Sequence, residues 1–253
     1  MKQLPIWVTK LGVLPALALW ATLLFSAEPL VLVYFDDYPP FSYRGPEGRM
    51  VGILPDIFEE ALEVRLHMEL AQKGLPWARA QHQVKLGQAD GFCTIPTPER
   101  RTYVAFNRKP VMMTEIRIFT SRTHPKLEQM LRIERLDQLA PFTITSYMGS
   151  GWAQKNLSGY EVFWPHSLEQ SLIMVINQRA DVLVDVSHVV LFKAQKSGFK
   201  DRLLTLPPVL EQQPFHLGIA TTSPHVGILD EFDRIFGQMQ IDGGYQTILE
   251  RYP

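Results

Sequence analysis

Seven histidines and one cysteine are the residues from which an active site would first be built, and their spacing argues against one. No two histidines stand four apart in a helical pattern, so the zinc spacing of a helix-borne pair is missing. Cys93 alone forms neither an internal disulfide nor a multi-cysteine metal site, and its strand-like surroundings make it core rather than nucleophile. Gly149-Ser150-Gly151 lacks the Gly-x-Ser-x-Gly elbow, and no phosphate loop of the form Gly-x4-Gly-Lys-Ser/Thr occurs. Asp185 ends an apolar run, and strand ends are where α/β sheets collect ligands. Gly149 and Ser150 precede a predicted helix, whose first free N–H groups would favour an anion.

These residues need strands and helices to position them. Leu30 to Phe35 is a continuous apolar run, as expected for a strand covered on both faces. Ile53, Ile57, Phe58, Ala61, Leu62 and Leu66 recur at helical spacing, and a second helix is predicted over about Ala78 to Leu86. Asp90 to Ile95, Phe142 to Ser146, Glu161 to Trp164 and Asp181 to Val186 read as strands. Ser167 caps a predicted helix that runs to Ile176, with Gln170 three positions on. Val226 to Gln240 and Tyr245 to Arg251 form two last helices, split by Gly243-Gly244. Strands alternating with helices predict an α/β fold with mostly parallel sheets. Two extended runs break the rhythm: Thr114 to Thr120, and Phe215 to Ala220 after the breakers Pro207-Pro208 and Pro214.

The 253 residues carry 46% apolar and 20% charged side chains, a globular balance that excludes collagen-like, coiled-coil and disordered chains. A net charge of −1, with no run of more than two basic residues, argues against a nucleic-acid partner. Lys2 and Lys10 flank a basic start, Leu11 to Phe25 carries no charge, and Ser26-Ala27 supplies small residues. This layout predicts a secretory signal peptide over 1–27, its apolar stretch falling short of the roughly 20 residues that span a bilayer. The mature chain is expected in the periplasm, as a monomer.

Six local patterns then occur in order: Asp37-Tyr38-Pro39-Pro40-Phe41-Ser42-Tyr43; Gly48-Arg49-Met50-Val51-Gly52 with Asp56; Leu86-Gly87-Gln88-Ala89-Asp90-Gly91; Thr97-Pro98-Glu99-Arg100 followed by Phe106-Asn107; Gly149-Ser150-Gly151; and Asn177 to Asp185. With this order and spacing the chain resembles the periplasmic solute-binding proteins of polar amino-acid ABC transporters, across essentially all of 28–253. The resemblance implies a two-lobe α/β clamshell with two hinge crossings (type II). Lobe one is expected at 28–113 and 217–253, and lobe two at 118–212. The implied partners are a small-molecule ligand and an inner-membrane ABC permease, without cofactor or metal.

The resemblance also implies ligand residues. Arg100 matches the arginine that grips an α-carboxylate, and a planar guanidinium does meet a carboxylate with two parallel bonds. Asp185 matches the acceptor of the α-ammonium, whereas Asp181 is expected to serve structure. Tyr38 and Trp77 match aromatic positions that sandwich the ligand side chain, and Phe41 either lines the cleft or plugs lobe one. Thr97 is expected to donate to the carboxylate, and Gly149 and Ser150 to approach it from lobe two. Arg79 is a second arginine near the expected cleft. Ile95 departs from the family, which commonly has a hydroxyl residue five positions before the arginine; a ligand other than a standard α-amino acid stays open. The related alternatives are a dehydratase-like enzyme on the same fold, acting on a prephenate-type acid, and a ligand-sensing protein.

Overall fold

A computed structural model describes residues 28–252. The expected signal peptide lies outside the described residues.

Strand β1 (Leu30–Phe35) organises the first half. Alternate side chains point to opposite faces of a strand. Leu30, Leu32 and Tyr34 enter one buried cluster with Ile57, Phe58, Phe232 and Phe236, while Val33 enters another with Ala80, Val84 and Phe92. The uninterrupted apolar run is thus explained by helices on both faces. The short β2 (Asp37–Tyr38), β3 (Ser42–Arg44) and β4 (Met50–Val51) make a separate antiparallel sheet, with Gly45 to Gly48 turning between the last two. Helix α1 (Ile53–Phe58) follows and widens into a π-type winding over Glu59–Arg65, so the expected single helix changes its turn midway.

β5 (Leu70–Leu75) pairs parallel with β1, and α2 (Trp77–Lys85) leads into β6 (Gly91–Thr94) and β7 (Val104–Phe106). The second half contains α3 (Leu127–Met130), β9 (Ile144–Thr145), α4 (Gly151–Asn156), β10 (Val162–Phe163), α5 (Leu168–Ile176), β11 (Val182–Val186) and α6 (Ser187–Lys196). Ser167 caps α5 as expected, its hydroxyl accepting the Gln170 N–H at 3.3 Å. α7 (Leu229–Ile241) and α8 (Gly244–Leu249) return to the first half, where Phe232 packs 5.6 Å from Phe58.

Two long strands join the halves. β8 (Met112–Ser121) and β12 (Leu203–Ala220) run antiparallel from Leu203 opposite Ser121 to Phe215 opposite Met112. β12 continues past that point to pair with β6 and β7. The path is β10-β9-β11-β8-β12-β6-β1-β5. The result is a two-lobe α/β fold with two crossings. The outer strands are parallel, but the middle of the path is antiparallel, because β8 and β12 carry the chain across and back. The prolines do not break β12. Pro207 and Pro208 fall in a register shift between Thr205 and Val209, where no ladder N–H is required, and Pro214 sits opposite Met113.

Candidate functional site

Asp185 lies near the end of β11, 3% exposed. Its Oδ1 accepts the Val186 N–H at 2.7 Å and its Oδ2 accepts the Ser146 hydroxyl at 3.3 Å, with the Ser150 hydroxyl as a further donor. Burial pushes its carboxyl above the usual range, and these hydrogen bonds pull against that rise. No lysine or arginine forms an ion pair with it among the described residues. Its charge reaches two phenols, Tyr38 from β2 and Tyr147 from the loop after β9, both driven upward chiefly by burial and then by Asp185.

The loop that carries Tyr38 and Phe41 is fixed by the start of α1. The Ile53 and Leu54 N–H groups donate to the Pro40 and Phe41 carbonyls, each at 2.9 Å. Gly52 makes this possible. Its φ is 128°, and a Cβ there would stand 2.6 Å from the Phe41 oxygen. Tyr38 stacks on Phe35 at 5.8 Å and touches Phe41 at 5.1 Å. Phe41 is fully buried, 5.6 Å from both Phe215 and His188. It thus fills the space between Tyr38, β12 and α6.

Arg100 occupies a second station. Its Nε and Nη2 donate to Gln81 Oε1 at 3.1 and 3.0 Å, and its Nη1 donates to the Ile95 carbonyl at 2.8 Å. The guanidinium carbon lies 5.4 Å from the centre of the Trp77 ring, a cation–π arrangement. Desolvation lowers its pKa, with Tyr103 and Glu99 opposing the effect from nearby. Trp77 also turns toward Phe92 at 5.6 Å, so Arg100 and Phe92 are its aromatic-scale neighbours. Thr97 Oγ1 accepts the Arg100 N–H at 3.3 Å, which leaves its hydroxyl proton for another acceptor. Arg79 is exposed.

Gly149, at φ 104°, leads into Ser150, which stands at the N-cap of the six-residue α4 but turns its hydroxyl to Asp185. Two residues on, Trp152 Nε1 donates to Glu211 on β12. Asp181 is structural: Oδ2 accepts the Thr143 N–H at 2.8 Å and Oδ1 lies 3.0 Å from His124 Nε2. The structure thus gathers Tyr38, Phe41, Ser150 and Asp185 around one centre, and Trp77, Thr97 and Arg100 around another. Ser146, Tyr147, His188 and Gln81 belong with them and were missed from sequence. The helical spacing of Gln81 from Trp77 was the one signal available for any of the four. A surface hollow of 430 Å³ lies elsewhere, lined in part by Gln88, Asp90, Ser223 and His225. Asp90 is already committed there, to the Val31 N–H and the Ser223 hydroxyl, both at 2.7 Å.

Two lobes joined by two crossings, with a buried carboxylate near the seam that makes no ion pair among the described residues, give the two-lobe periplasmic-binding-protein fold. The chain belongs to the bacterial extracellular solute-binding proteins, family 3, which it matches over residues 30–253. Solved structures share the fold. The probable amino-acid ABC transporter extracellular-binding protein ytmK from Bacillus subtilis superposes with TM-score 0.72 at 13% identity, covering 89% of this chain and 97% of that one. An ancestral cationic amino acid solute binding protein gives 0.68 at 22%, covering 88% and 95%. A histidine kinase sensor domain with similarity to periplasmic binding proteins gives 0.68 at 15%, covering 90% and 96%. No curated protein matches the chain.

Proposed function

We infer that the protein binds a small zwitterionic solute, an amino acid or close relative, between its lobes and delivers it to an ABC permease after export to the periplasm. One observation carries the reading: among the described residues, a buried carboxylate and a desolvated guanidinium each make no ion-pair contact, Glu99 acting on Arg100 only from a distance. Asp185 is held by hydroxyls and a backbone N–H, and Arg100 by a carboxamide and a carbonyl. Burying unpaired charge is costly. A ligand that brings an ammonium to one and a carboxylate to the other would remove both costs. Residues 28–113 with 217–253 are proposed as one lobe and 118–212 as the other; the pairing of β12 with both sheet halves supports that division. No chemistry is assigned to the site.

The test is a thermal-shift screen of the mature chain against the twenty L-amino acids, oligoamines and dicarboxylates. A ligand at 100 times its Kd should add about 2.7 kcal/mol. Arg100→Ala should then weaken the hit at least tenfold, the equivalent of about 1.4 kcal/mol. Wild-type affinity in Arg100→Ala would refute the carboxylate assignment. Turnover of a prephenate-type acid, followed in the ultraviolet, would replace the transport reading with an enzymatic one.

A further inference from the structure

We propose that Gln81 is a positioning residue of the carboxylate grip: it aims the Arg100 guanidinium while leaving its charge unspent for the ligand. The proposal rests on the reading of Arg100 given above.

The geometry begins on α2. Trp77 and Gln81 are four residues apart, so they share one face of the helix. That face is turned to Arg100, with the indole ring on one side of the guanidinium and the carboxamide at its edge. A guanidinium has five N–H donors in a fixed planar fork. Gln81 Oε1 takes the Nε proton and one Nη2 proton, and the Ile95 carbonyl takes one Nη1 proton. One proton on Nη1 and one on Nη2 remain. Two donors on neighbouring nitrogens can meet a carboxylate through paired bonds.

The chemical type of residue 81 matters as much as its place. A glutamate would accept the same bonds, but it would complete an ion pair and compete with an incoming carboxylate. A glutamine orients the fork and stays neutral. The desolvated guanidinium of Arg100 is what such an arrangement leaves behind. Ile95 contributes through its backbone carbonyl, so the missing side-chain hydroxyl at that position does not prevent it from aiming the arginine.

The experiment compares wild type, Gln81→Glu and Gln81→Leu. Calorimetric titrations use the tightest-binding of the twenty L-amino acids and the α-carboxamide of that same amino acid, and melting temperatures are read without ligand. Gln81→Glu should melt at or above the wild-type temperature, because it gives Arg100 a counter-charge. It should nonetheless bind the amino acid at least tenfold more weakly, and its preference for acid over amide should shrink by a similar factor. Gln81→Leu should lose several-fold in affinity, with a smaller loss of that preference. A residue serving only the packing of α2 would lower melting temperature and affinity together and leave the acid-to-amide ratio alone. That pattern, or wild-type ratios in both variants, would overturn the proposal while leaving the Arg100 reading intact. Wild-type affinity in Arg100→Ala, or no binding of any of the twenty, would remove the reading and the proposal with it.

Discussion

Phe41 and His188 meet ring to ring at 5.6 Å, one from the loop beside β2 and the other from the first turn of α6, so the two lobes touch through an aromatic pair beside Asp185. His188 Nδ1 is buried and has no hydrogen-bond partner among the described residues. Burial lowers the pKa of its imidazole, while the charge of Glu115 on β8 pulls the other way, and Glu115 is itself paired with Arg117 at 3.4 Å.

The seam should therefore be acid-sensitive. A histidine whose folded pKa is depressed resists a proton that the unfolded chain accepts near its ordinary pKa of about 6.5. Stability should fall as pH drops through that value. His216, also lowered by burial, adds a fall of the same sign. The component due to His188 is read as the difference between wild type and His188→Gln in melting temperature from pH 8 to 5. Parallel curves would show that His188 is not held neutral.

Asp185→Asn should separate stability from binding. Burial raises the Asp185 carboxyl, so ionising it costs the folded, ligand-free protein. That cost is absent below the unfolded pKa of about 3.9 and complete above the raised folded value. At pH 8 the variant should melt higher than wild type without ligand, yet bind an amine-bearing solute at least tenfold more weakly, a difference of about 1.4 kcal/mol. A lower melting point at pH 8 would contradict the assignment.

Asn107 should carry stability rather than binding. Its Oδ1 accepts the Leu217 N–H at 2.9 Å, and its Nδ2 donates to Asp233 at 2.8 Å and to the Lys109 carbonyl at 2.6 Å. Asn107→Ala leaves buried partners unpaired and should cost about 1–3 kcal/mol in urea unfolding. Ligand affinity in the folded fraction should not change.

Closure should be visible in solution. The crossings pair antiparallel from Leu203 opposite Ser121 to Phe215 opposite Met112, with register shifts between Thr205 and Glu211. A ligand that bridges the lobes should reduce the radius of gyration in small-angle scattering, as in hinge closure. An unchanged radius at saturation would mean that the lobes are already fixed against each other.

The parts legible in sequence were those with strong local chemistry. The apolar run of β1, the Ser167 cap and the strand ending at Asp185 each carry their own signal. β5 does not: it is an edge strand, and Gln72 and Lys73 interrupt its apolar character. β2, β3 and β4 are too short to show a period. Arg100 and Asp185 were singled out through motif order, and among the described residues neither makes an ion-pair contact. What Trp77 and Gln81 do for Arg100 depends on α2 lying against the turn at 100–102, a tertiary fact with no local trace. The prolines of β12 misled for a related reason. Proline forbids a ladder bond only where a partner needs its N–H, and which positions those are is set by register.

β12 also bears on how the chain can assemble. The half that carries Asp185 is uninterrupted chain between the two crossings. The half that carries Arg100 is complete only when Leu217 reaches Asn107, 110 positions earlier. Closing so long a loop directly is entropically slow. Once β8 and β12 have paired, with Met112 opposite Phe215, the two distant segments already lie side by side. Pairing of the two crossings thus brings the early and late segments of the Arg100 half together, and a weakened ladder should delay the maturation of that half.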